Sequence, residues 1–74
     1  MMRDRTTNKR KALLKNWALL PSRRGNGYAH LSGQVYGHPS FFNGETVTTS
    51  PCIRIDFERM EAETMHTIYM LGEV

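Results

Sequence analysis

The chain has a single cysteine, Cys52, so no internal disulfide can staple it. A solitary thiol suits a reducing compartment, and the expectation is a cytoplasmic protein. Long hydrophobic runs are missing too. The longest apolar cluster, Ala12 to Leu20, is interrupted by Lys15 and Asn16. That is far short of a membrane span and lacks the continuous apolar stretch and cleavage site of a secretory signal. No close pair of metal ligands exists. His30, His38, Cys52 and His66 stand eight, fourteen and fourteen residues apart, without the local chelate that structural zinc sites use, so neither metal nor cofactor is expected. Finally, no lysine follows Lys15. The acids Asp56, Glu58, Glu61 and Glu63 therefore lack the basic partner a metal-dependent nuclease would want. They read as a solvated edge that discourages strand-to-strand aggregation.

What remains is a chain of 74 residues, 39% of them hydrophobic. That suffices for one small domain over 1–74 with a modest interior. There is little room for a deep pocket with the supporting shell that catalysis needs, so the expected class is a non-enzymatic binding module.

Charge is unevenly divided along the chain. Residues 1–24 hold Arg3, Arg5, Lys9, Arg10, Lys11, Lys15, Arg23 and Arg24 against Asp4 alone, whereas residues 25–74 hold Arg54 and Arg59 against six acids. A basic arm on an acidic body points to an anionic partner for the arm, although solubilising tails have the same composition.

Periodicity changes once. Leu13, Leu14, Trp17, Ala18 and Leu20 recur at spacings of one, three and four, which predicts an amphipathic helix over 9–20 behind a frayed basic arm over 1–8. Thr6, Thr7 or Asn8 would cap that helix and Pro21 would stop it. From Tyr28 the period is two. Ala29, Leu31, Gly33 and Val35 form one face of a strand, and Tyr28, His30, Ser32, Gln34 and Tyr36 the other. Asn43-Gly44 signals a tight turn. A second strand spans about 46–57, with Pro51 marking a bulge or an edge. Glu58-Arg59 is a candidate turn, and a third segment over 60–71 breaks near Met65-His66. The predicted fold is α+β: one N-terminal amphipathic helix, then a small twisted antiparallel sheet within a β-rich body over 28–72. Breaks in the long strands would let that sheet curl into an open SH3-like barrel. The expected core is Leu13, Trp17, Leu31, Val35, Val47, Ile53, Ile55, Phe57 and Ile68.

Tyr28, His30 and Tyr36 alternate with small polar groups on one strand face, and Arg54 is expected on the same side of the next strand. Rings flanked by basic groups stack bases while the cations meet phosphates. Together with Arg3, Arg5, Lys9, Arg10, Lys11, Lys15, Arg23 and Arg24, these residues make up the candidate nucleic-acid surface. The competing reading is that the helix covers this face and the tyrosines form a second small core. Small ribonuclease toxins share the helix-then-strands order, and the chain resembles the HicA toxins in that alone. Their Gly-Ser-His motif ahead of an aromatic is missing, and Gly37-His38-Pro39 is a poor substitute. His38 before Pro39 reads instead as a turn residue capping backbone groups.

One further resemblance rests on Gly33-Gln34-Val35-Tyr36-Gly37-His38-Pro39, Phe42-Asn43-Gly44, Val47-Thr48-Thr49-Ser50 and Tyr69-Met70-Leu71-Gly72. This is similar to short uncharacterised proteins of bacteria, phages and mobile elements that share a G-x-V-x-G-H-P-x-F-x-x-G-x-x-V-x-T-S … Y-x-L-G pattern. The likeness spans roughly residues 33–72, excludes the basic segment, and implies context without mechanism. Small phage and prophage proteins often act as inhibitors or adaptors of host machinery. Two functions are therefore expected: nucleic-acid binding through the basic N-terminal helix or arm, or binding of a single host protein, as an anti-defence inhibitor does. No membrane partner is expected.

Overall fold

A computed structural model describes residues 9–22 and 27–74. The expected arm over 1–8 lies outside them, as do Arg23 and Arg24. Six strands follow one another: β1 (Arg10–Leu20), β2 (His30–Tyr36), β3 (Glu45–Thr48), β4 (Arg54–Asp56), β5 (Glu61–Glu63) and β6 (Thr67–Leu71). They form one sheet in the order β3-β2-β1-β6-β5-β4. Neighbouring strands are antiparallel except β1 and β6, which run parallel.

The α+β expectation is thus corrected: among the described residues every regular element is a strand and none is a helix, and the sheet, expected to be antiparallel, is mixed through the parallel β1–β6 pair. The segment predicted as a helix over 9–20 is β1, and it lies inside the sheet rather than across it. The reason is a bulge. Leu14 pairs with Val35 and Lys15 with Gln34, but pairing resumes only at Ala18 with Ser32, so Asn16 and Trp17 face Gly33 alone. Asn16 adopts a φ of 51°, a left-handed conformation that asparagine tolerates better than most residues. The extra residue shifts the inside–outside alternation by one. Ala12 and Leu14 are buried two apart, and Trp17, the next residue to pack on the core, follows three further on. A phase-slipped strand therefore mimics helical spacing. Gly33 is what lets the bulge sit down: a Cβ there would meet the Lys15 carbonyl oxygen at 2.8 Å and the Leu14 Cγ at 3.0 Å.

The sheet rolls because its two outermost strands are consecutive in the chain. Residues 45–56 run first along β2 and then along β5. Thr49 N–H donates to the Leu31 carbonyl (2.7 Å) and Cys52 N–H to the Ala29 carbonyl (2.8 Å), after which Ile53 N–H donates to the Glu63 carbonyl (2.7 Å). Pro51, which has no N–H to lose, stands where the chain leaves one neighbour for the other. The turn after β4 is held by Asp56, whose Oδ1 accepts the Glu58 and Arg59 amides at 3.0 and 3.1 Å.

Inside the roll lie Ala12, Leu14, Leu31, Val35, Cys52, Ala62, Tyr69 and Leu71. Leu14, Leu31 and Val35 have no exposed side-chain surface to speak of. Leu13, Trp17, Val47 and Ile55 are half-buried. Ile53 and Phe57, expected in the core, are about half exposed. The bend at Pro51 and the Asx-type turn at Asp56 interrupt the alternation on which that expectation rested. Phe57 instead stacks on the ring of Trp17, centroids 6.2 Å apart, and the Trp17 indole N–H donates to the Gly72 carbonyl at 2.9 Å.

Candidate nucleic-acid interface

Strand alternation and register assign each side chain to a face. The rows of Cα partners put Lys11, Leu13 and Lys15 of β1 on the outer face. With them stand Ser32, Gln34 and Tyr36 of β2, Thr46 and Thr48 of β3, Ile68 and Met70 of β6, Glu61 and Glu63 of β5, and Arg54 and Asp56 of β4. The β1–β3 part of this face carries bases, hydroxyls, an amide and a ring, with no carboxylate. The β4–β6 part carries three carboxylates.

The bases of the two parts are employed differently. Lys9 hydrogen-bonds and ion-pairs with the Glu63 carboxylate and donates to the Thr64 carbonyl at 3.0 Å. Arg54 reaches Glu63 at 3.1 Å, Glu61 at 3.6 Å and Asp56 at 3.8 Å, and Arg59 lies 4.0 Å from Asp56. Glu63 is only 8% exposed. The Lys9 hydrogen bond holds its carboxyl below the usual carboxylate range; burial opposes this and Arg54 adds to it. By contrast Lys15 Nζ lies 5.4 Å from the centroid of the Tyr36 ring, within cation–π range. Arg10, Lys11 and Lys15 have no ion pair among the described residues. Lys11 stands at the boundary, sharing a shallow depression with Arg54, Asp56, Arg59 and Glu61.

The twelve residues nominated from the sequence are therefore not assembled as one surface. Lys11, Lys15 and Tyr36 share the outer face, with Arg10 exposed at the start of β1. Lys9 and Arg54 are committed to Glu63. His30 is 8% exposed, and Tyr28 is half exposed in the segment leading into β2. Arg3, Arg5, Arg23 and Arg24 lie outside the described residues. Arg54 is on the outer side, as is Tyr36, but at the far edge of the sheet from β2.

Sequence reasoning missed a second feature. The residues that carried the resemblance converge. His38, Val47, Thr48, Thr49, Ser50 and Tyr69, together with Phe41 and His66 from outside the quoted residues, line a cleft of about 220 Å³ between β3 and the β5–β6 turn. His38 does cap backbone, its Nδ1 accepting the Ser40 amide at 3.0 Å. Its ring also lies beside Phe41 (centroids 4.8 Å) and parallel to Tyr69 (6.4 Å). Loop 37–44 is pinned by Asn43 Oδ1, which accepts the Gly37 amide at 2.8 Å, and by Glu45 Oε1, which accepts the Phe42 amide at 3.0 Å. The signal was present in the pattern, but only the roll of the sheet brings residues 38, 48 and 69 together.

Among the described residues no three His, Cys, Asp or Glu side chains come together to hold a metal ion. Burial pushes the Cys52 thiol up, and a side-chain hydrogen bond with Thr49 opposes this. No described helix is long and apolar enough to cross a membrane. No protein-family model, curated protein or solved structure matches the chain.

Proposed function

We propose that this chain is a small, non-enzymatic module that binds nucleic acid on the outer side of β1–β3. One observation carries the reading: Lys15 sits over the Tyr36 ring on the β1–β3 part of the outer face, which has no carboxylate, with Lys11 four residues along the same strand at the boundary with the acidic part. Cations beside rings and free polar groups suit a backbone that carries phosphates and bases that stack. The described residues hold six bases and six acids, so the chain's excess of +3 comes from the segments 1–8 and 23–26 that flank β1. Those segments supply the longer-range attraction, and the β1–β3 face supplies the direct interactions. This replaces the basic helix with a basic strand.

The test is fluorescence anisotropy of a labelled single-stranded oligonucleotide at two or more salt concentrations. Wild-type protein binds at low salt, with log affinity falling as log salt rises. K11E/K15E weakens binding and reduces that slope by roughly one unit for each phosphate no longer engaged. Failure of the wild type to bind single- or double-stranded DNA or RNA at low salt rules the reading out. A protein partner is the second reading, favoured by Phe42, which is 87% exposed at the tip of the β2–β3 loop. It takes over if a defined host protein co-purifies stoichiometrically after nuclease treatment.

A further inference from the structure

The cleft between β3 and the β5–β6 turn has a composition unlike the rest of the surface. Its lining contains no Lys, Arg, Asp or Glu. Its walls combine rings (His38, Phe41, Tyr69, His66) with hydroxyls. Some of those hydroxyls are used internally. Thr49 Oγ1 accepts the Leu31 amide and donates to the Ser50 carbonyl, and Thr64 Oγ1 and Thr67 bond one another across the turn. Ser40, Thr48 and Ser50 have side-chain hydroxyls with no partner among the described residues. His38 accepts at Nδ1, so the neutral ring carries its proton on Nε2, which faces Thr67 Oγ1 at a loose 3.5 Å. The cleft therefore offers stacking surface and uncommitted hydrogen-bonding groups, with no lysine, arginine or carboxylate among them. At about 220 Å³ it is smaller than the sites that take drug-sized molecules.

Position adds to composition. Thr48 belongs both to this cleft and to the outer face, where it pairs with Ser32, and the adjoining row runs Lys15, Gln34, Thr46. Two strand spacings separate Lys15 from that edge, roughly 10 Å. A chain whose phosphates lie on Lys15 can thus turn an uncharged group over β3 into the cleft.

We propose that this cleft is a pocket for one uncharged nucleobase of a single-stranded nucleic acid, stacked on the Phe41 side and hydrogen-bonded along its edge by Thr48, Ser50 and the neighbouring imidazoles. The inference rests on the proposed nucleic-acid reading, and it separates the two components of such a ligand: phosphates go to the lysines and a base goes to the cleft.

The test compares a short single-stranded RNA with an abasic oligonucleotide of equal length and charge, using wild-type protein and the F41A and T48V variants. Phe41 and Thr48 are both exposed enough for replacement without emptying the core, and unchanged melting temperatures check this. Wild type is expected to bind the abasic strand roughly tenfold or more weakly than the RNA, as loss of a stacked base implies. In F41A and T48V the difference should shrink while the salt slope stays that of wild type. In parallel, free uridine, cytidine, adenosine and guanosine are titrated while the His38 and His66 ring resonances are followed by NMR, and at least one is expected to shift them. Equal affinity for base-bearing and abasic strands overturns the cleft proposal and leaves the phosphate reading standing. No binding of either strand overturns both. Silence with all four nucleosides, coupled with shifts on adding an extended peptide that pairs with the β3 edge, assigns the cleft to peptide and also overturns it.

Discussion

The two parts of the outer face share one sheet and one pleat, yet they commit their charged groups to different tasks. On the β4–β6 side Glu63 is nearly buried and answered by Lys9 and Arg54, and Glu61 and Asp56 complete the set. Lys9 and Glu63 are 54 residues apart in sequence, so their pair ties the start of β1 to the β5–β6 turn. On the β1–β3 side Lys15 rests on a ring without a carboxylate partner, and Lys11, at the boundary between the two parts, makes no ion pair among the described residues. The contrast teaches that a basic residue's role follows from what the fold sets opposite it. Lys9 and Lys15 look equivalent in the sequence. One is structural and the other is available.

The largest break in the comparison removes what both parts stand on. Leu14 is fully buried beneath them, and Leu14→Ala is expected to destabilise the protein by about 2–5 kcal/mol, read by chemical denaturation. Next comes the ionic side. Lys9→Met leaves the Glu63 carboxylate short of a partner and is expected to cost about 1–3 kcal/mol. A wild-type denaturation midpoint for that variant would mean the pair is ornamental. The pH dependence sharpens the same point. Glu63 has a lowered pKa in the folded protein, so its contribution is complete above the unfolded carboxylate pKa of about 4.3 and is lost as pH falls through the lower folded value. In that window the unfolded chain binds more protons, and stability should rise with pH. The acid-side fall in melting temperature should be shallower in Glu63→Gln, and an unchanged slope would remove Glu63 as its source. The smallest effect belongs to the other part. K11E/K15E should change stability by no more than about 0.5 kcal/mol, because these side chains stand clear of the core. A large loss would make them structural after all.

Much of this body was legible along residues 28–71. The alternation of Leu31 and Val35, the Asn43-Gly44 turn, the break at Pro51, the Glu58-Arg59 turn and the break near Met65-His66 all rest on local chemistry that a single sequence displays. The segment 9–20 misled because one bulge residue, Asn16, converts a period of two into spacings that a helix also satisfies. The compensating Gly33, seventeen positions away, is intelligible only once the strands are paired. The assignment of Lys9 and Arg54 to an anionic ligand failed to anticipate Glu63 for a similar reason. Ion pairs across a sheet leave no spacing signature, unlike those along a helix. The cleft was half legible: its residues stood out as a pattern, but their convergence depends on the roll of the sheet.

The most direct test of a division of labour across the outer face is an amide chemical-shift footprint of the full chain, recorded as a single-stranded oligonucleotide is added at low and at raised salt. The predicted result is a set of salt-sensitive shifts on Lys11, Lys15, Gln34 and Tyr36, continuing to Thr48, with Arg54, Glu61 and Glu63 nearly unmoved. Shifts concentrated on Arg54, Glu61 and Glu63, or none on β1 and β2 under conditions where the oligonucleotide binds, would contradict it.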